Sequence, residues 1–80
     1  MTVTVLLFAS YAEAVGRSSM ELDLQSGATV RDVIAHVRGI GGVRQLPPTP
    51  MVAVNEQYAS RERELREGDE VALIPPVAGG

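Results

Sequence analysis

Apolar residues recur along this chain with two periods, and the switches between them mark out the elements. Val3-Thr4-Val5-Leu6-Leu7-Phe8 is β-rich and apolar on both faces, which predicts a central strand. Met20-Glu21-Leu22-Asp23-Leu24-Gln25 alternates, with Met20, Leu22 and Leu24 on one side. That is the pattern of a half-exposed strand, paired antiparallel with the first. The period then lengthens. Val30, Val33, Ile34 and Val37 fall at i, i+3, i+4 and i+7 and make one helix face. Thr29 stands at the N-cap, with Asp32 in the capping-box position. All four apolar residues are β-branched and poor helix formers, so packing against a sheet must hold this helix. Gly39, Gly41 and Gly42 end it.

The remainder alternates between strand and turn. Ala9 to Ala14 reads as a short helical turn, and Gly16-Arg17-Ser18-Ser19 and Ser26-Gly27-Ala28 as loops. Leu46-Pro47-Pro48-Thr49-Pro50 is a stiff connector leading into the apolar strand Met51-Val52-Ala53-Val54. Asn55-Glu56 makes a turn, and Gln57 to Ser60 a short edge strand. Arg61-Glu62-Arg63-Glu64 reads as a solvated surface run, pinned to the core by Leu65. Glu67-Gly68-Asp69 turns into the last strand, Val71-Ala72-Leu73-Ile74. Strand, strand, helix, strand, short strand, strand predicts an α+β domain with one main helix on one face of a mixed sheet of four to five strands. The strands at the two chain ends are the most apolar. They are expected centrally, side by side and parallel, in the β-grasp or ubiquitin-like arrangement. Residues 1–74 form the domain and residues 75–80 an extended tail.

Composition narrows the chemistry. Eighty residues make one domain with a small core and no deep active site. There is no cysteine, which excludes disulfides, thiolate metal sites and a thiol nucleophile, and is compatible with a reducing cytoplasm. No signal peptide and no membrane-length run is visible. The net charge is −3, and every basic residue is arginine. A mildly acidic domain is a poor nucleic-acid binder and better suited to a basic protein surface. The lack of lysine means that the chain cannot accept an isopeptide bond on its own side chains.

The most informative segment is the end, Ile74-Pro75-Pro76-Val77-Ala78-Gly79-Gly80. Pro75 and Pro76 fix φ and push the tail to extended geometry. Six residues from Pro75 to Gly80 reach at most ~20 Å. Gly79 and Gly80 have no Cβ to clash in a narrow site. The terminal carboxylate of Gly80 thereby becomes the candidate reactive group.

From Leu65 through Glu67-Gly68-Asp69-Glu70-Val71 to Pro75-Pro76-Val77-Ala78-Gly79-Gly80, the chain resembles the MoaD-type sulfur carriers, the small subunit of molybdopterin synthase, in the MoaD/ThiS ubiquitin-like superfamily. Ala53-Val54-Asn55, Phe8-Ala9, Glu13 and Gly16 extend the likeness along the chain. The family usually carries an arginine before that glutamate, and here the residue is Ala12. The resemblance implies that Gly80 is adenylated with ATP by an E1-like adenylating enzyme. A sulfur donor, such as a cysteine desulfurase or a rhodanese-type protein, then leaves a thiocarboxylate. The large synthase subunit takes up Pro75, Pro76, Val77, Ala78, Gly79 and Gly80, and sulfur passes to cyclic pyranopterin monophosphate to form the molybdopterin dithiolene. Two carriers are consumed per product, in keeping with a heterotetramer. On this reading the chain is a cytoplasmic co-substrate subunit that binds no cofactor or metal of its own. Phe8, Leu73 and Glu13 are candidate partner contacts. The same terminus also fits a ubiquitin-like protein modifier, a carrier for tRNA thiolation or thiazole synthesis, or an interaction module with an idle tail.

The other polar residues have plainer readings. His36 falls on the helix's polar side as a surface residue, and Tyr11 and Tyr58 are expected to pack at the rim of the core.

Overall fold

A computed structural model describes residues 1–45 and 50–76. Its elements run β1 (Thr2–Leu7), α1 (Ala9–Val15), β2 (Ser19–Asp23), α2 (Val30–Arg38), a 3-10 helix (Gly41–Gln45), β3 (Met51–Val54), β4 (Gln57–Tyr58) and β5 (Glu70–Ile74). The sheet order is β2-β1-β5-β3-β4. β1 and β5 are parallel, with Thr4 opposite Glu70 and Leu7 opposite Leu73, and the other pairings are antiparallel. The central parallel pair from the two ends of the sequence is therefore as expected.

One face of the sheet is closed by α2. Val30, Val33, Ile34 and Val37 join Val3, Val5, Leu7, Leu22, Val43, Val52, Val54, Leu65, Val71 and Leu73 in a single buried cluster, and Tyr11, expected at its rim, lies fully inside it. The helix begins where the sequence places it. Thr29 and Asp32 form a reciprocal capping box, and the Thr29 N–H donates to Asp32 Oδ2 at 2.8 Å. The next two free amides are satisfied from a distance. Val30 N–H donates to the Arg63 carbonyl and Arg31 N–H to the Arg61 carbonyl, both at 3.0 Å. The run Arg61 to Glu64 is thus more than solvated surface. Its backbone closes the start of α2, while Glu62, Arg63 and Glu64 are exposed and Glu62 makes a surface ion pair with Arg31 that is worth little.

Two turns depend on unusual backbone. Asn55 (φ 50°) and Glu56 (φ 70°) both lie in the left-handed region, as the tight turn between β3 and β4 demands. Ala9 (φ 47°) opens α1 in the same region, directly after Phe8. Gly16 (φ 86°) closes α1, its N–H donating to the Ala12 carbonyl at 2.8 Å. The stretch read as a helical turn is a seven-residue helix, Ala9–Val15. It is held by Tyr11, which is 2% exposed, and by the 3-10 helix, where Gly42 approaches Ala14.

Several expectations need correcting. Tyr58 is 74% exposed, because β4 is only two residues long and its ring has no second layer beside it. β1 is apolar on both faces but buried on only one. Val3, Val5 and Leu7 are inside, while Leu6 is half-buried on the open face. Of the connector Leu46 to Pro50, only Pro50 falls among the described residues, and it is buried.

Candidate functional site

The register of the sheet assembles a surface from residues far apart in sequence. Residues directly opposite one another share a face. On the side away from α2, one row runs across all five strands as Ser19, Leu6, Ala72, Ala53 and Tyr58. Beside it, Ile74 faces Met51, and Phe8 joins at the same end through its N–H bond to the Leu73 carbonyl at 3.3 Å. Phe8 is 45% exposed, Met51 42%, and Leu6 and Ile74 are half-buried. Apolar side chains uncovered together in this way make this end of the face the candidate docking surface.

The opposite end of the same face is acidic. Glu21, Thr4 and Glu70 form one row, and Asp23 and Thr2 the next. The Thr2 hydroxyl donates to Asp23 Oδ1 at 2.7 Å, and the Thr2 N–H to Glu67 Oε1 at 2.9 Å. No arginine lies in these rows. The open face is therefore divided, with an apolar half where β5 ends and an anionic half where β5 begins.

Leu73 does not belong to this surface. It is 1% exposed, because the pairings with Leu7 and Val52 place it on the core face. Alternation along β5 puts its neighbours Ala72 and Ile74 outside instead. Phe8 and Glu13 are exposed as a contact role requires. Ala12 is half-buried against the core, so the position where the resemblance led to an expectation of arginine is turned to packing here. His36 is a surface residue. Leu6, Met51, Ile74 and Tyr58 were missed as surface residues by sequence reasoning. The strand register could have found them, had it been known. Of the tail, Pro75 is half-buried and Pro76 exposed, while Val77, Ala78, Gly79 and Gly80 lie outside the described residues.

Nothing else in the described residues resembles an enzymatic centre. No polar side chain is buried there, and no three His, Asp or Glu converge to hold a metal. Burial raises the pKa of Tyr11, against the opposing influence of Arg38 and Arg61, so its hydroxyl is further from ionising than a free tyrosine. Asp69 moves the other way. A hydrogen bond from Asn55 and one from the Arg66 amide stabilise its carboxylate. Both effects serve packing and turn closure. No helix among the described residues is long and apolar enough to cross a membrane.

A mixed five-stranded sheet with a central parallel pair, one helix across it and an open apolar face at the exit of the last strand defines a ubiquitin-like β-grasp protein. The chain belongs to the ThiS family, whose model matches residues 5–80. It is 34% identical to the molybdopterin synthase sulfur carrier subunit of Chlamydomonas reinhardtii, over 100% of both chains. Among solved structures it is similar to SAMP1, the small archaeal modifier protein 1 of Haloferax volcanii, with 29% identity, a TM-score of 0.86 and 100% of both chains covered. It is also similar to a Pyrococcus furiosus protein described as a candidate molybdopterin converting factor, subunit 1. That match has 30% identity and a TM-score of 0.85, covering 96% of this chain and 99% of the other. The kinship expected from the Gly-Asp-Glu-Val strand and the Pro-Pro-Val lead-in is borne out.

Proposed function

We propose that this chain is the sulfur carrier subunit of a molybdopterin synthase, with the carboxyl carbon of Gly80 as the atom that carries sulfur. The observation that carries the reading is the placement of the open apolar patch. Ile74, Met51 and Phe8 cluster at the end of β5 from which Pro75 and Pro76 lead away. A partner seated on that patch has the tail beside it. The family model continues through Gly80, and a relative of matching length bears the sulfur-carrier name.

The chemistry follows from the weakness of a carboxylate as an electrophile. An α-carboxyl group has an ordinary pKa of about 3.3–3.7, so it is ionised near neutral pH. Adenylation by an E1-like partner, with ATP as its substrate, converts it to a mixed anhydride. The terminal sulfur of a persulfide donor displaces AMP to give an acyl disulfide. A thiol of the donor system then cleaves the S–S bond by forming a disulfide of its own, and the thiocarboxylate released is a competent nucleophile. The large synthase subunit holds cyclic pyranopterin monophosphate and supplies the acid–base groups. The carrier supplies sulfur and is consumed as a co-substrate in the cytoplasm. Phe8, Ile74 and Met51 seat the domain, while Val77, Ala78, Gly79 and Gly80 enter the partner.

The test is intact-mass analysis after incubation with a cognate adenylating enzyme, ATP and a sulfur donor. Replacement of one oxygen by sulfur, mapped to Gly80, is the expected result. An unchanged mass with a partner shown to be active on another carrier would refute the proposal. A second reading, a protein modifier joined through Gly80 to lysines of other proteins, is favoured by the close structural likeness to the archaeal modifier. It predicts higher-mass conjugates in cell extract that vanish when Gly80 is deleted.

A further inference from the structure

We infer that the free edge of β2 is a seat for an extended, basic segment of another protein. That segment adds to the sheet as one more strand and alternates apolar side chains with lysine or arginine. The inference stands apart from Gly80 and from the apolar patch at the exit of β5.

β2 is the longer of the two sheet edges, five residues against two in β4. Its ladder shows which backbone groups are left over. In an antiparallel pair, residues facing each other alternate between those that exchange both hydrogen bonds and those that exchange none. Leu24 N–H donates to the Met1 carbonyl at 2.7 Å, and Leu7 N–H to the Ser18 carbonyl at 2.9 Å. With Thr2 opposite Asp23 and Leu6 opposite Ser19, these bonds put Ser18, Met20, Leu22 and Leu24 at the bonded positions. Ser19, Glu21 and Asp23 therefore turn their N–H and C=O groups away from β1. Among the described residues no backbone group pairs with them there. A row of free amides and carbonyls at strand spacing is a template for a further strand.

The side chains of β2 define what that strand carries. Ser19, Glu21 and Asp23 are exposed on the open face, in the rows of Leu6, Thr4 and Thr2. Leu22 is buried on the other face, and Met20 and Leu24 are only half-buried against the core. An added strand alternates in step with its neighbour. On the open face its side chains come beside Glu21 and Asp23, where lysine or arginine meets opposite charge. On the core side they come beside Met20 and Leu24, where apolar side chains cover what the fold leaves open. Past Asp23 lies a cleft of about 390 Å³, walled by the turn from Asp23 to Ala28 and by Asp32. Two carboxylates border it, so the segment can continue there with a further basic residue. The same charges oppose a second copy. An antiparallel pair of β2 strands centred on Glu21 sets that carboxylate against its own counterpart, which is destabilising. Charge of one sign guards an edge against self-pairing and still admits a strand of the other sign.

The test is an NMR titration of the full, isotope-labelled chain with a short synthetic peptide that alternates valine and lysine and is capped at both ends. The expected result is a set of shifts led by the amides of Ser19, Glu21 and Asp23, with slowed hydrogen exchange at the same amides. Glutamate in place of each lysine is expected to weaken binding by at least about tenfold, and Glu21→Lys to reverse that preference. Ser19→Pro removes one outward donor without altering charge, at a first-strand position that accepts proline, and should weaken the lysine peptide. Methylating the edge-facing backbone nitrogens of the peptide should abolish binding with all charge kept. This last arm leaves the protein unaltered and decides the matter even if Ser19→Pro folds poorly. Equal binding of the methylated or the glutamate peptide overturns the inference, as do shifts centred on Phe8, Met51 and Ile74. So does protection of Ser19, Glu21 and Asp23 in the free chain that grows with protein concentration, since the occupant is then a second copy. Failure to load sulfur at Gly80 bears on the proposed function instead, because the titration does not involve the terminus.

Discussion

Asn55 and Asp69 lock the β3–β4 turn to the start of β5. Asn55 Nδ2 donates to Asp69 Oδ1 at 3.0 Å, and Asn55 Oδ1 accepts the Glu70 N–H at 3.0 Å. The backbone completes the clamp, with Asn55 N–H donating to the Glu70 carbonyl at 2.8 Å and Arg66 N–H to Asp69 Oδ2 at 2.9 Å. One asparagine thus fills a left-handed turn position and satisfies both polar edges of a neighbouring strand. Asn55→Ala is expected to cost about 1–2 kcal/mol, read as a fall in Tm or in denaturant midpoint.

The clamp also sets a pH dependence. Asp69 has a folded pKa depressed mainly by Asn55 and then by the Arg66 amide. A depressed carboxyl contributes stability that is present above its unfolded pKa, ~3.9 for aspartate, and lost as pH falls through the folded value. Asp69→Asn should therefore be less stable than wild type at neutral pH, with the difference shrinking below about pH 4. Thermal melts from pH 7 to pH 2 measure this. A constant difference across the range would assign the loss to packing.

The two sides of β5 should respond oppositely to charge. Ile74→Asp is expected to leave the fold intact and weaken binding to either partner by at least about tenfold, since truncating a central apolar contact commonly costs over 1.4 kcal/mol. Leu73→Asp, one residue earlier, buries an unpaired carboxylate and should prevent folding. Circular dichroism together with a binding titration separates the two.

Glu56 carries a side chain where the turn requires φ 70°. Glu56→Gly is expected to stabilise by up to about 1 kcal/mol, or roughly 4–8 °C in a domain of this size, since the left-handed strain outweighs the entropy glycine adds to the unfolded chain. The reverse holds at Gly42. A Cβ there would meet the Ala14 carbonyl oxygen at 3.0 Å, so Gly42→Ala should loosen α1 from the 3-10 helix and lower Tm.

Deleting Gly80 should leave Tm unchanged and abolish thiocarboxylate formation. A clear loss of stability would mean that the terminus is part of the packed domain.

Much of the fold was legible because local and global signals agree. The Thr29–Asp32 box, the Val30-Val33-Ile34-Val37 face and the alternation of β2 each name one element without ambiguity. The parallel pairing of β1 and β5 followed from their apolar content. The surface was harder to read. Whether Leu73 or Ile74 faces outward is a question of register, and a single-residue shift reverses every answer along the strand. Tyr58 read as a rim-of-core residue because aromatic rings usually find apolar cover, and the two-residue length of β4 leaves it exposed. The capping of α2 by Arg61 and Arg63 was invisible because it uses carbonyl oxygens, which every residue has.

The pairing of the first strand with the last makes the open patch depend on closure of the whole chain. Nearly the whole sequence must be synthesised before β5 can slot between β1 and β3, so the long-range closure comes late and is the slow part of folding. The segment proposed to enter the partner begins at the next residue after that strand. A chain that has not finished folding lacks the apolar patch made by Phe8, Met51 and Ile74.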